Sequence, residues 1–288
     1  MMKARQYMTM AGMAALLLTS CVKDDLYDTP HPDKGAVVIA TDWTEALAES
    51  TVPETYLLCM DGGEAVQADE KELCYPDLLM PGKHTLLVYN EPEGMTVEGN
   101  TATVQMLDGM LIPLPGYLFS AEKELEIVQD DTLRVTVPMK RRLCPIVLNL
   151  SLKGENTESI ALITATLSGM AASVDLRNGV TGGDNATVAL DVRQAEARTL
   201  TYREGQLEMR CRVTGTDPKE RQILTVKVTM ADGYVQTIVS DLTEYLKDLN
   251  ADMEPIELEG TVEAPQDGHF SGTIEKWETV SGGDIDAN

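Results

Sequence analysis

Gln222-Ile223-Leu224-Thr225-Val226-Lys227-Val228-Thr229-Met230-Ala231-Asp232-Gly233-Tyr234-Val235-Gln236-Thr237-Ile238-Val239-Ser240 is the stretch that decides the fold class. Within it, Val226-Lys227-Val228-Thr229 alternates apolar and polar residues, so one face is buried and the other is wet. Asp232-Gly233 stands between two apolar runs and signals a tight hairpin. Runs of the same kind recur outward in both directions, at 36–41, 55–60, 84–90, 101–107, 124–129 and 132–139, then at 145–152, 160–168, 187–192, 206–213, 256–262 and 269–277. They are rich in Val, Ile, Leu, Thr and Tyr, and turn residues such as Asp61-Gly62-Gly63, Met80-Pro81-Gly82 and Glu93-Gly94 separate them. Helical patterning is confined to a short segment at 44–50, capped by Asp42 or Thr44, and an insert at 242–249. In the insert Leu242, Tyr245, Leu246 and Leu249 recur at helical spacing and form one stripe for the sheet. Many strands and few helices predict an all-β chain of two tandem β-sandwich domains, 36–140 and 141–288, with the helical insert in the second. No internal sequence repeat is visible.

The N-terminus predicts export. Lys3 and Arg5 precede an apolar segment at 7–18 that closes on Leu18-Thr19-Ser20-Cys21. This reads as a signal peptide over 1–20, too short to cross the roughly 30 Å hydrocarbon core as a permanent helix. Cys21 directly after Leu-Thr-Ser resembles a bacterial lipobox, in which that cysteine becomes the acylated first residue; an ordinary signal with an incidental cysteine is the alternative. Several acyl chains, at about 0.8 kcal/mol per buried methylene, make a lasting anchor in outer-membrane lipid. Lys23, Asp24 and Asp25 resemble the signal that sends lipoproteins of the Bacteroidota to the outer face of the outer membrane, with a solvated acidic tether over 21–35 as the plainer reading. The expected location is therefore the outer membrane, lipid-anchored and exposed at the cell surface.

Composition excludes several classes. The net charge of −24 leaves nucleic acid without the clustered cations that phosphate binding needs. Lys140-Arg141-Arg142 is the one dense basic cluster; it reads as a solvated inter-domain linker, or alternatively as a docking spot for an acidic partner or lipid headgroup. Cys59, Cys74, Cys144 and Cys211 follow Cys21 without metal-ligand spacing and remain open between thiols and disulfides, a 59–74 bridge being the simplest pairing. No nucleophile motif surrounds His31, His84 or His269, and no phosphate-cradling loop leads into a helix. Asp130-Asp131 and Asp284-Ile285-Asp286 read as turn acids rather than a glycosidase pair. Gly182-Gly183-Asp184-Asn185 lacks the spacing of a calcium loop. The chain thus reads as a non-enzyme without cofactor or metal. Aromatics are only 5%, and Trp43 and Trp277 each follow a strand and read as core. Surface glycan binding or nutrient capture is therefore the second reading.

Leu26-Tyr27-Asp28, His31-Pro32-Asp33-Lys34-Gly35 with the strand through Trp43, Met80-Pro81-Gly82-Lys83-His84-Thr85-Leu86-Leu87-Val88-Tyr89-Asn90, the strand at 145–152 and Gly272-Thr273-Ile274-Glu275-Lys276-Trp277 together resemble FimB-type fimbrial subunits and related fimbrial lipoproteins of Bacteroidales. The resemblance implies transthyretin-like domains that join other fimbrial subunits by β-augmentation, an open edge and its apolar pockets accepting a strand from a neighbour. It also implies that stalk subunits lose an N-terminal strand to a protease, whereas anchor or minor subunits keep it. No arginine lies between Arg5 and Arg134, and Arg134 falls within a strand; cleavage after Lys34 would shed the lipid and remove no core strand. An unprocessed anchor or minor subunit is the expectation. Ala36, Val37, Val38 and Ile39 are then the strand retained in the groove, and Ile274, Trp277 and the tail to Asn288 the contacts with a partner. Asp131-Thr132-Leu133 resembles an O-glycosylation sequon with Thr132 as acceptor, or else a plain turn before a strand.

Overall fold

A computed structural model describes residues 33–44, 46, 50, 52–153, 160–192, 206–251, 253–263 and 278–279. The strands of the first half are β1 (Ala36–Asp42), β2 (Tyr56–Met60), β3 (Ala65–Ala68), β4 (Glu72–Cys74), β5 (Gly82–Tyr89), β6 (Met95–Glu98), β7 (Thr101–Val104), β8 (Met106–Leu107), β9 (Met110–Leu111), β10 (Phe119–Ile127), β11 (Thr132–Pro138) and β12 (Lys140–Arg141). The second half continues with β13 (Cys144–Lys153), β14 (Ile160–Asp175), β15 (Thr181–Ala189), β16 (Asp191–Val192), β17 (Gln206–Val213), β18 (Ile223–Met230), β19 (Val235–Asp241), a helical turn α1 (Thr243–Leu246), β20 (Ile256–Glu263) and β21 (Glu278–Thr279). The chain is all-β, as its alternating pattern predicts.

The sheet β11-β1-β4 shares one apolar core with the sheet β12-β10-β5-β2-β3. The sheet β16-β17-β13-β20-β21 shares a second core with the path β19-β18-β14-β15-β9-β8, to which the β6–β7 hairpin adds through β14. One arrangement occurs twice. β1 lies between a parallel partner, β11, and an antiparallel one, β4. Likewise β13 lies between parallel β20 and antiparallel β17. Residue identities do not repeat; the common element is strict alternation of burial along β1 and β13, which backbone ladders and period-two patterning produce from many sequences.

Strand pairing does not respect a division at residue 140. β7 pairs with β14 through Thr103 and Ser173, and β9 pairs in parallel with β15 through Leu111 and Val188. β5 explains why the two halves stay together. Leu86 and Val88 enter the core of Val37, Ile39 and Phe119, whereas Leu87 and Tyr89 enter the core of Leu118, Leu143 and Met95. A strand covered on both faces needs no polar alternation, and 86–89 has none.

The basic cluster corrects the solvated-linker expectation, since Arg141 and Arg142 are buried. Arg142 Nε donates to Ser120 Oγ at 2.7 Å, and its Nη2 lies 3.4 Å from the carbonyls of Leu176 and Arg177. Arg141 donates to the Met253 carbonyl. A guanidinium has several donors in a fixed fork, so it can tie Ser120 and the 176–177 loop together at once. Lys140 alone stays exposed. The helical insert is also shorter than its pattern: Leu242, Leu246 and Leu249 are buried but Tyr245 faces solvent. The expected helix at 44–50 lies largely outside the described residues, although Thr44 N does donate to Asp42 Oδ1 at 3.0 Å. The Asp232-Gly233 hairpin is present, closed by Gly233 N to Met230 O at 2.9 Å with Gly233 at φ +88°.

Candidate strand-retention site

The sequence places β1 immediately after Gly35, and the packing shows why glycine stands there. A Cβ at Gly35 would lie 2.4 Å from the Val128 carbonyl oxygen and 2.6 Å from Ile127 Cγ2. The backbone is pinned on both sides: Gly35 and Leu79 exchange hydrogen bonds at 2.9 Å each, and Ala36 N donates to Asp131 O at 2.9 Å. From there β1 runs in register with β11 from Ala36 opposite Thr132 to Asp42 opposite Pro138. Its other edge meets β4, Val38 opposite Cys74 and Ala40 opposite Glu72, with Tyr75 N to Val37 O at 2.8 Å and Thr41 N to Lys71 O at 3.0 Å extending the ladder.

Of the four residues expected to occupy a groove, Val37 and Ile39 are fully buried, among Val137, Met139, Leu58, Leu86 and Phe119. Ala36 and Val38 point to the half-exposed face. A strand-shaped groove with two apolar pockets therefore exists between β11 and β4, and the chain's own β1 fills it. Thr132 is brought to the same place: it is exposed, opens β11 opposite Ala36, and its N–H bonds to Asp131 Oδ1 at 2.7 Å. Arg134 on β11 pairs with Glu72 on β4 at 2.8 Å across the outer face of β1. Cys21, Lys23, Asp24, Asp25, Ile274, Trp277, His31, His269 and the tail acids lie outside the described residues.

The remaining candidates resolve into packing. Trp43 meets Phe119 edge-on at 5.4 Å and Tyr56 at 6.0 Å between ring centroids, as expected of core. Cys59, Cys74, Cys144 and Cys211 are thiols. Burial pushes the Cys211 thiol far up, with Cys144 nearby adding to the effect. His84 opens a strand and is satisfied: Nδ1 lies 2.6 Å from Asp61 Oδ2 and Nε2 lies 2.8 Å from the Met80 carbonyl. Two acceptors require two N–H donors, so the geometry favours the imidazolium, and the bond to Asp61 raises the His84 pKa. Slight burial pushes the Asp61 carboxyl up, but the Thr85 N–H and His84 outweigh it and lower its pKa overall. Asp130 adopts φ +56°, the behaviour of a turn acid, and Gly182 to Asn185 lie within β15. Among the described residues no group of His, Cys, Asp and Glu is placed to hold a metal ion, and no helix is long and apolar enough to cross a membrane.

A family profile described as fimbrillin-A associated anchor proteins Mfa1 and Mfa2 matches residues 48–281. The fimbrial anchor protein Mfa2 from Porphyromonas gingivalis superposes with a TM-score of 0.60 at 10% identity, covering 85% of this chain and 97% of that one. A provisionally assigned adhesin from Bacteroides ovatus gives a TM-score of 0.57 at 18% identity, covering 88% and 99% of the two chains. A provisionally assigned polysaccharide-binding protein from Bacteroides thetaiotaomicron gives 0.53 at 7% identity over 80% and 92%. At these identities the likeness concerns the fold. No curated protein matches the chain by sequence.

Proposed function

The chain belongs to the family of fimbrillin-A associated anchor proteins, and from that membership we propose that it is an anchor or minor structural subunit of a fimbria that keeps its own first strand. Its role is structural rather than enzymatic. Acyl chains on Cys21 hold it in the outer membrane, Lys23, Asp24 and Asp25 direct it to the outer face, and other fimbrial subunits engage it through strands. Ile274, Trp277 and the tail to Asn288 are the contact region on this reading. The repeated placement of β1 and β13 between a parallel and an antiparallel neighbour supports tandem transthyretin-like sandwiches.

The observation that carries the proposal is the state of β1, bonded along both edges with Val37 and Ile39 buried. An acceptor subunit must vacate such a groove; a terminal subunit must not. Cleavage after Lys34 is disfavoured in the fold, because a protease needs an extended segment on both sides and Gly35 is buried and bonded. Intact mass and N-terminal chemistry of protein from native outer membranes test this. A chain beginning at acylated Cys21 is expected, and one beginning at Gly35 or further in would overturn it.

Modification of Thr132 is compatible with its exposure and would place a glycan beside the entry of β1. A mass increment lost in Thr132→Ala is the expected result. The glycan-binding reading is weakened by Trp43, whose ring is committed to Phe119 and Tyr56.

A further inference from the structure

Most sheet edges of this molecule are short or blunted. Of the terminal strands, β8, β12, β16 and β21 have two residues each, β4 has three and β3 has four. β11 is longer but carries Arg134 and ends on Pro138, devices that discourage pairing. β19 has none of these. It is seven residues long, terminal in its sheet, and in unbroken register with β18 from Ile223 opposite Asp241 to Thr229 opposite Val235. Among the described residues no strand covers its outer edge.

Its side chains sort cleanly. Gln236 and Ile238 are buried, while Val235 and Val239 are 49% and 62% exposed. The outer face continues inward through Thr229 to Leu162, itself 48% exposed, and through Thr225 to Thr166. An apolar, threonine-rich edge without proline or charge in its middle is a template for another strand.

The order Val235-Gln236-Thr237-Ile238-Val239 says which strand. Antiparallel pairing about a two-fold axis at Thr237 sets Thr237 opposite the partner's Thr237 and Val235 opposite the partner's Val239. It also sets Gln236 opposite the partner's Ile238 on the inner face. Both outward valines gain apolar partners, and the central threonines form a favoured cross-strand pair. The patch is self-complementary, as an isologous contact requires. The outward side chain that β18 sets beside Thr237 is Lys227; the two copies of Lys227 would lie about three strand spacings apart, roughly 14 Å, and so interact weakly.

We propose that β19 is the contact edge for a second copy of this chain, joining the two sheets containing β19 into one through a two-fold axis at Thr237. The contact is separate from the β1 groove and stands whether or not the chain is a fimbrial anchor. With a net charge of −24 on each copy, long-range repulsion opposes the contact, so salt strengthens it.

The test is sedimentation of the purified full chain in one mild detergent at up to about 100 µM, the range of a small interface. Dimer is expected, increasing from about 0.05 to about 0.5 M NaCl. Val239→Lys, whose side chain points to solvent, should keep its unfolding midpoint while weakening dimerisation by about tenfold or more. With Cys21, Cys59 and Cys74 replaced by Ser, Thr237→Cys should form a disulfide dimer on mild oxidation, and the inward-facing Ile238→Cys should not. A chain that stays monomeric under all conditions overturns the proposal, as does a dimer indifferent to Val239→Lys. A monomer that instead takes up an extended peptide at β19 overturns self-pairing and assigns the edge to a different partner.

Discussion

Ile39→Ala is the sharpest probe of the retained strand. Ile39 is fully buried between the two sheets of the first core, so truncation removes three carbons from a packed site. Transfer and cavity contributions together come to about 3 kcal/mol. With a urea m-value of about 2 kcal/mol/M, the midpoint of the transition reporting this core falls by about 1.5 M. Val38 is the control, one residue away and on the half-exposed face. Val38→Ala should cost less than about 1 kcal/mol, below about 0.5 M in midpoint. The assay is urea unfolding followed by Trp43 fluorescence in a Trp277→Phe background, because Trp43 packs on Phe119 and Tyr56 beside the strand. Equal costs at 38 and 39, or a larger one at 38, would refute the register, since a one-residue slip exchanges the two faces.

Gly35→Ala should destabilise by about 1–3 kcal/mol in the same assay, because the new methyl meets the Val128 carbonyl oxygen, fixed backbone, as well as Ile127 Cγ2. Arg142→Met should cost about 2–4 kcal/mol by leaving Ser120 Oγ and the Arg177 carbonyl without the guanidinium, the Leu176 carbonyl keeping the Ser120 hydroxyl at 2.6 Å, and Arg142→Lys should rescue little because one ammonium cannot reproduce the fork of contacts. His84 supplies a pH dependence. Its folded pKa is raised above the ordinary 6.5, so its contribution is complete below that value and is lost as pH rises through the folded value. Stability should therefore fall from about pH 6.5 upward in the wild type relative to His84→Gln, and an imidazole NMR titration midpoint at or below 6.5 would contradict the two-acceptor geometry.

The features legible in the sequence are those with strong local causes. The hairpin of β18 and β19 was readable because Asp232-Gly233 supplies a turn that only certain residues allow and the flanks alternate. β3, β4, β6 and β9 are not, because Ala65 to Ala68, Glu72 to Cys74, Met95 to Glu98 and Met110-Leu111 are too short to carry a period-two pattern; β3, β6 and β9 are held by the neighbouring strand of a hairpin, and β4 by distant β1. The sequence pattern ends β14 at 168, but the strand runs to Asp175; Gly169, at φ +74°, is absorbed as an irregularity between Leu167 and Met170 instead of ending the strand. The pattern starts β15 at 187, but the strand begins at Thr181, since Gly182 to Asn185 look like a loop until β14 pairs with them. At the candidate site the occupant was legible and its walls were not. Ala36 to Ile39 read as a strand unaided, whereas β11 and β4 become its neighbours through contacts between positions far apart in the chain. The burial of Arg141 and Arg142 was hidden because local composition cannot reveal that distant carbonyls need donors.

The place where β1 begins has a mechanical meaning. Any tension entering through the residues before Gly35 acts along the axis of β1, whose hydrogen bonds to β11 and β4 run across that axis. Such a load stretches the ladder in shear, dividing the force among all the bonds at once instead of opening them one by one as a zipper. Gly35, clasped by Leu79 and followed by Ala36 bonded to Asp131, is the first grip. The same inserted strand that closes the fold is thus the element best oriented to resist a pull on the chain's N-terminal end.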